Sequence, residues 1–218
     1  MIQSPSNRLI VLPKSKFTSA VSNILKESSL QNGATVDPTD IVTIQGEVIS
    51  IPKFISPTRE YRGFSTKDIR VGDIAIFSYR VIYDHKMELD ENGEVVAKHR
   101  NSVAVGGKEY FLCNIRDLFG VIRDGRIIMV NGYVMVTEHE ESQIVLPNYL
   151  KKIRGTVASD VIEVGSSLTH QSNMFHVKKG DEVFYSKNKA QHYQINGKKF
   201  VILHMNHILG KREVLAEE

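Results

Sequence analysis

The chain has 218 residues, a length that suits one large or two small domains. Of these residues, 41% are hydrophobic and 24% are charged, which is an ordinary globular composition. Its 28 basic and 25 acidic residues are interleaved, so no clustered basic face indicates a nucleic-acid-binding protein. No stretch is apolar for long enough to span a membrane, and the N-terminus lacks the apolar core of a signal peptide. The only cysteine, Cys113, lies in an apolar run, which predicts a buried, inert thiol. A single cysteine fits a reducing compartment, and together with the missing span and signal peptide it predicts a soluble cytoplasmic protein.

The elements predicted in the first half of the chain are short β-strands. An apolar strand begins at Arg8, and a long segment, residues 13–45, separates it from a second strand that begins at Gly46. Within that segment only residues 17–30 show helical spacing, while a Gly-Asp turn leads into another strand in residues 69–77. Short segments rich in Val, Ile, Tyr and Phe, separated by Gly, Pro, Asn and Asp, predict an all-β fold of barrels or sandwiches.

A second long segment follows, in residues 78–106. It contains the sequence Asp-Glu-Asn-Gly-Glu at residues 90–94, flanked by two strand-like runs. Because Asn-Gly is a strong signal for a tight turn, this segment predicts an inserted β-hairpin.

The second half of the chain repeats the first in the same order and at nearly the same spacing. We therefore predict a tandem duplication, with a first domain in residues 1–122, a second domain in residues 126–218, and an Asp-Gly turn between them. The insertions near 13–45 and 78–106 belong to the first domain. The matching blocks are residues 46–50 with 155–159, residues 69–77 with 177–185, and residues 107–120 with 197–210.

One apolar run in the second half is too short for an ordinary strand. Ile144, Val145 and Leu146 are stopped by Pro147 and are enclosed by polar and charged residues. From the residues alone, this tripeptide is either an edge strand of the core or an exposed tip that binds a partner.

Taken in order, these motifs resemble the GroES-type co-chaperonins, the lid subunits of chaperonins, in a tandem form. The resemblance is carried twice, by "VGDIAIF" and "KEYFLCNIRDLFGVI" in the first half and by "KGDEVFY" and "KKFVILHMNHILG" in the second. The second half adds "QIVLP" between "GYVMVTE" and "GTVAS", where the family has its mobile loop. The resemblance implies two tandem GroES-like β-barrel domains, the first with an inserted hairpin and an extended loop.

The resemblance also implies a binding site and partners. It implies a mobile loop that binds a groove on a GroEL-type chaperonin ring. The tip of this loop is formed by Ile144, Val145 and Leu146, followed by Pro147. The first domain lacks this tripeptide, and its nearest equivalent, Ile24 and Leu25, is either a second chaperonin contact or a packing element. The implied partners are the chaperonin, further copies of the chain in a ring-shaped homo-oligomer, and client proteins inside the chamber.

The sequence offers no motif for chemistry of its own. No Gly-rich loop has the spacing of a P-loop, so we expect neither ATP binding nor any other cofactor. His204 and His207 have no further ligands at metal-binding spacing, and no catalytic constellation is evident, so we expect no enzyme. The alternative to a co-chaperonin is a viral or cellular structural or assembly protein that reuses the barrel; for a viral protein the location is the host cytoplasm.

Overall fold

A computed structural model of the protein describes residues 3–14, 45–83, 85–89, 91–93, 95–137, 156–166, 176–195 and 198–212. Within these ranges, one short helix, α1, spans Arg80–Tyr83, and single 3-10 turns span Arg59–Tyr61, Ile115–Asp117, Lys187–Lys189 and Met205–His207. The strands are β1 (Arg8–Pro13), β2 (Gln45–Ser50), β3 (Ile74–Phe77), β4 (His85–Leu89), β5 (Val95–His99), β6 (Ser102–Val105), β7 (Lys108–Asn114), β8 (Leu118–Arg123), β9 (Arg126–Met129), β10 (Tyr133–Thr137), β11 (Thr156–Val164), β12 (Glu182–Ser186), β13 (Gln191–Ile195), β14 (Lys198–His204) and β15 (Ile208–Arg212).

The strands form two large sheets with the same internal order. The first sheet runs β6-β7-β1-β2-β3-β8-β9, and the second runs β13-β14-β10-β11-β12-β15. The strand order of the second sheet repeats the first six positions of the first sheet. Among the described strands of these two sheets, only β9 has no counterpart. The predicted all-β fold is confirmed, and the repeated strand order gives two similar units, which we call the first and second units.

The two units also share irregularities of strand pairing. The β3–β8 ladder shifts register just before Phe77 pairs with Leu118, and the β12–β15 ladder shifts just before Tyr185 pairs with Ile208. The β1–β2 and β10–β11 ladders each contain one further shift at matching places. Since a bulge bends and twists its strand locally, shared bulges give both sheets the same curvature.

The Gly-Asp turns explain one of the repeated motifs. Gly72 and Gly180 have φ angles of 89° and 90°, a conformation that L-residues with a side chain rarely adopt. The following aspartate closes each turn, because its carboxylate accepts a hydrogen bond from the N–H three residues earlier, at 2.7 Å for Asp73 and 2.9 Å for Asp181. Each motif therefore fixes the entry into β3 or β12.

Each unit has its own apolar core. The first includes Phe77, Leu118 and Cys113, which is fully buried as predicted; burial raises the pKa of its thiol. The second core includes Val134 and Tyr185. In the described part of the chain, no helix has the length and apolar character that crossing a membrane requires.

The predicted inserted hairpin is present in the first unit. Strands β4 and β5 pair from His85 opposite His99 to Leu89 opposite Val95, on either side of the Asn-Gly turn. The hairpin is anchored at its base, where the His99 ring contacts Phe111 edge-on and its Nδ1 lies 2.7 Å from the carbonyl oxygen of Ile82. The extended loop and the helical spacing of residues 17–30 lie outside the described residues.

Candidate functional site

The predicted chaperonin-binding residues all lie outside the described part of the chain. This holds for Ile144, Val145, Leu146 and Pro147 in the second unit and for Ile24 and Leu25 in the first. Their role therefore stays a prediction. The structure does describe the strands that carry both predicted loops.

Both predicted loops connect the same pair of neighbouring antiparallel strands in their units. In the first unit, Pro13 at the end of β1 lies opposite Gly46 in β2, and the Lys14 N–H donates to the Gln45 carbonyl at 3.0 Å. In the second unit, the Thr137 hydroxyl at the end of β10 accepts from the Asp160 N–H in β11, at 3.2 Å. The two connections thus leave their barrels from corresponding hairpins.

The two units are joined by a strand that crosses the predicted domain boundary. Strand β9, assigned by sequence to the second domain, pairs with β8 of the first, from Arg123 opposite Arg126 to Gly120 opposite Met129. A β-carbon at Gly120 would lie 2.7 Å from the Ile128 carbonyl oxygen, so glycine permits this close approach. The exact bounds of the domains remain a prediction.

An apolar cluster, which we call the joint, packs the units against each other. The Phe119 ring lies edge-on to Tyr133 with centroids 4.9 Å apart and tilted against Tyr193 at 5.2 Å. These aromatic contacts add to the stabilisation from apolar burial. The fully or nearly buried members are Ile76 and Phe119 from the first unit, with Met129, Met135, Tyr193 and Ile202 from the rest of the chain. Sequence reasoning missed this cluster.

Hydrogen bonds between described residues also tie the units together beside the joint. The Tyr133 hydroxyl donates to the Arg116 carbonyl at 2.8 Å, and the Ser65 N–H donates to the side-chain oxygen of Asn131 at 2.9 Å. Asn131 is buried and has a φ of 52°, which asparagine tolerates better than most residues. The units are therefore fixed by directional contacts as well as by apolar packing.

A polar cavity of about 570 Å³ lies next to the joint. Burial raises the pKa of Asp117 on its wall, although Arg116 opposes the shift, and burial raises the pKa of Tyr133 to about 12. Burial lowers the pKa of both His204 and His207, which favours their neutral forms. Among the described residues, no group of three or more His, Cys, Asp or Glu side chains is placed to hold a metal ion.

The comparison with known families concerns the second unit. A family model described as the chaperonin 10 Kd subunit matches residues 125–212, which span strands β9 to β15. A search of curated proteins found no match. In residues 125–212, the chain is therefore similar to the GroES-type co-chaperonins, a family of non-enzymatic partners of chaperonins.

Proposed function

We propose that the protein is a co-chaperonin that caps an ATP-driven chaperonin ring and assists protein folding in the cytoplasm. The observation that carries the proposal is the family match over residues 125–212. It is supported by the hairpin of β10 and β11, which carries the predicted loop in that matched segment. The partners are a GroEL-type chaperonin, further copies of the chain, and client proteins inside the closed chamber.

In this proposal the chaperonin contact is the tripeptide Ile144-Val145-Leu146, with Pro147 limiting its extension. Burying each side chain in an apolar groove contributes about 1.5–3 kcal/mol. Ordering the segment on binding costs part of that gain, so one contact is weak and reversible. Several copies in one cap raise the affinity through effective concentration. Ile24 and Leu25 of the first unit are candidates for a second contact.

The test is ATP-dependent capture by a purified bacterial-type chaperonin, followed by negative-stain imaging of the complexes. The wild-type chain is compared with the double variant Val145→Asp, Leu146→Asp, and with Ile24→Asp, Leu25→Asp. A matched control is Val71→Asp, since Val71 is 64% exposed in the turn before β3. We expect capping by the wild type and the control, and its loss in the double variant at residues 145 and 146.

The alternative is a structural or assembly protein that reuses the barrel. The inserted β4–β5 hairpin favours it, because Leu89 at the end of β4 is 67% exposed and offers an apolar contact outside the barrel. An assembly protein would neither cap the chaperonin nor respond to the changes at residues 145 and 146. A folded wild-type chain that never caps therefore favours the alternative.

A further inference from the structure

The polar cavity beside the joint is lined by corresponding turns of the two units. The 3-10 turn Ile115–Asp117 follows β7 in the first unit, and the turn Met205–His207 follows β14 in the second. Asp117 and His207 are the last residues of these turns, and both line the cavity. Its volume of about 570 Å³ lies within the range of sites that bind small molecules. The cavity therefore has the size of a ligand site and contacts both units.

The Asp117 carboxylate on the cavity wall lacks a hydrogen-bond partner. The backbone of Asp117 is held in place, because its carbonyl oxygen accepts from the Ser78 N–H at 2.8 Å. Burial raises the pKa of the carboxyl group, and the charges of Arg116 and Arg80 oppose that shift. Among the described residues, neither arginine forms an ion pair with the carboxylate, and no N–H or side chain donates a hydrogen bond to it. Since a partly buried carboxylate without a donor is destabilising, it is available as an acceptor for a ligand.

His207 brings a second unused polar atom to the same cavity. Its Nδ1 is buried and has no hydrogen-bond partner among the described residues. Burial, together with the positive charge of Lys189, lowers the pKa of His207 and so favours the neutral ring. A neutral imidazole carries one nitrogen that accepts a hydrogen bond and one that donates. His207 thus adds a polar group to the cavity without adding a positive charge.

Aromatic rings form another part of the cavity wall. The His204 ring lies edge-on to Tyr133 with centroids 5.2 Å apart, and its centroid is 6.3 Å from that of His207. Phe64 lines the cavity from the first unit. Aromatic rings attract cations to their faces and also pack against the apolar stem of a ligand. This wall therefore suits a cation that carries hydrocarbon.

The charges around the cavity favour a cation over an anion. Arg116 and Glu60 form an ion pair at 3.9 Å, with both side chains more than half exposed, so these two charges offset each other at the rim. The Asp117 carboxylate is then the remaining charge among the lining residues, because their lowered pKa values keep both imidazoles neutral. An anion would meet an unpaired carboxylate, whereas a cation would supply that carboxylate with a partner.

We propose that this cavity binds a primary ammonium group carried on a short alkyl chain. The ammonium group donates to the Asp117 carboxylate, and the alkyl chain lies against the rings of Phe64 and Tyr133. The Nδ1 of His207 is the acceptor for a further N–H of the ligand. Such an ammonium group occurs in free diamines and at the end of a lysine side chain of another protein. The inference goes beyond the proposed function, because it requires neither a chaperonin nor a nucleotide.

The experiment is a nuclear magnetic resonance titration of the full chain with isotope-labelled histidines, at constant pH and ionic strength. The probes are putrescine and the methylamide of Nα-acetyl-lysine, with butanol and butyrate as neutral and anionic comparisons of the same chain length. We expect the ring signals of His204 and His207 to shift to saturation with an amine, and to stay in place with butanol and butyrate. About 10 mM amine nearly saturates a site with a dissociation constant of about 1 mM.

The two amines distinguish the sources of the ammonium group. Tighter binding of putrescine supports the inference and assigns the cavity to a free diamine. Tighter binding of the lysine derivative also supports it, and assigns the cavity to a lysine side chain of a partner protein.

Asp117→Asn tests the carboxylate directly. It removes the charge with little change of shape, and the side chain has no hydrogen bond to lose, so the chain should fold normally. The dissociation constant of either amine should rise about tenfold or more, as expected for the loss of a hydrogen bond to a charged group. The matched control is Asp124→Asn in the exposed turn between β8 and β9, where the φ of 50° also suits asparagine. This control should bind the amines like the wild type.

His207→Phe tests the second acceptor. It keeps an aromatic ring in the cavity but removes the buried Nδ1, so the dissociation constant should rise by less than in Asp117→Asn. The His204 signal remains as the reporter of binding in this variant. The circular dichroism spectrum of each variant, compared with that of the wild type, checks that it is folded.

Three results would overturn the inference. The first is the absence of a saturating shift with either amine at about 10 mM. The second is an equal shift with butanol or butyrate, and the third is a folded Asp117→Asn that binds the amines as tightly as the wild type. Because no chaperonin is present, each of these results leaves the capping experiment to be judged separately.

Discussion

Phe119 and Tyr193 lie 74 positions apart in the chain, yet their ring centroids are 5.2 Å apart with the planes tilted by 49°. Phe119 lies in β8 of the first unit, and Tyr193 lies in β13, an edge strand of the second sheet. Both side chains are nearly fully buried. The contact packs the two units against each other. Its loss should therefore lower the free energy of unfolding of the whole chain.

The first prediction concerns this contact. Phe119→Ala should lower the free energy of unfolding by about 3–5 kcal/mol, since it removes a buried aromatic side chain and leaves a cavity. Leu209→Ala is the matched comparison, because Leu209 has the equivalent position in β15 but is only partly buried. Guanidinium denaturation of the single chain should show a clearly smaller loss for Leu209→Ala. Equal losses would contradict a special role of the joint.

The second prediction concerns the Tyr133 hydroxyl, which donates to the Arg116 carbonyl. Tyr133→Phe should cost about 0.5–1.5 kcal/mol at neutral pH, the usual net value of such a bond. Burial raises the pKa of Tyr133 to about 12, above the ordinary 10 of the unfolded chain. The folded chain therefore holds this proton more tightly, so its stability falls as pH rises from 10 towards 12. Denaturation across that range should show a smaller fall for Tyr133→Phe.

The third prediction concerns the Asp73 carboxylate. Burial opposes its ionisation, but hydrogen bonds from the Arg123 side chain, at 2.8 and 2.7 Å, and from the Arg70 N–H outweigh it and lower its pKa. Asp73→Asn should cost about 1.5–3 kcal/mol, the range for hydrogen bonds to charged groups. Asp181→Asn should cost less, because the ion pair of Asp181 with Lys211 Nζ is longer, at 3.4 Å.

The Asp73 carboxylate also makes the stability of the protein depend on pH in the acid range. A lowered pKa means that the unfolded chain takes up the proton first, so the stabilisation is complete above the ordinary value of 3.8. This stabilisation is lost as pH falls from 3.8 through the lower pKa of Asp73 in the folded state. Denaturation below pH 4 should therefore show a steeper loss for the wild type than for Asp73→Asn. Parallel curves would contradict the assignment.

The fourth prediction concerns His204, whose Nδ1 accepts from the Asn206 N–H at 3.3 Å and caps a 3-10 turn. Asn114 caps the equivalent turn of the first unit in the same way, accepting from the Arg116 N–H at 3.0 Å. His204→Asn should therefore keep the cap and fold normally. Burial, helped by the nearby His207, lowers the pKa of His204, so protonation opposes folding.

The sign of this effect is fixed by the direction of the shift. Above 6.5 both folded and unfolded chains hold His204 neutral, and its contribution to stability is complete. As pH falls from 6.5 to the lower pKa of the folded state, the unfolded chain binds the proton first and stability declines. Thermal denaturation between pH 7.5 and 5 should show a shallower decline for His204→Asn. An unchanged decline would assign the effect to other groups.

Local signals in the sequence were sufficient to predict the strands, the turns and the repeat. The Asn-Gly pair at residues 92–93 marks the β4–β5 hairpin, and the Gly-Asp pairs mark the turns before β3 and β12, because these residues have strong conformational preferences. The matching blocks predicted two similar barrels because the same pattern of buried and exposed positions produces the same sheet.

The joint could not be predicted in this way. Alternation along a strand separates inward from outward side chains, but it does not say which outward apolar residues meet another unit. Phe119 and Val103 both occur in ordinary strand patterns, and only the assembled sheets show that the first is covered and the second is open. The predicted loop residues lie outside the described residues, so the structure leaves their assignment as a prediction.

Strand β9 has a consequence for how the two barrels of one chain respond to dilution. The joint it helps to form lies within one molecule, so mass action cannot separate the two units at any concentration. The smallest folded species in solution is therefore a pair of barrels, which keeps the contact between its two units however dilute the protein is.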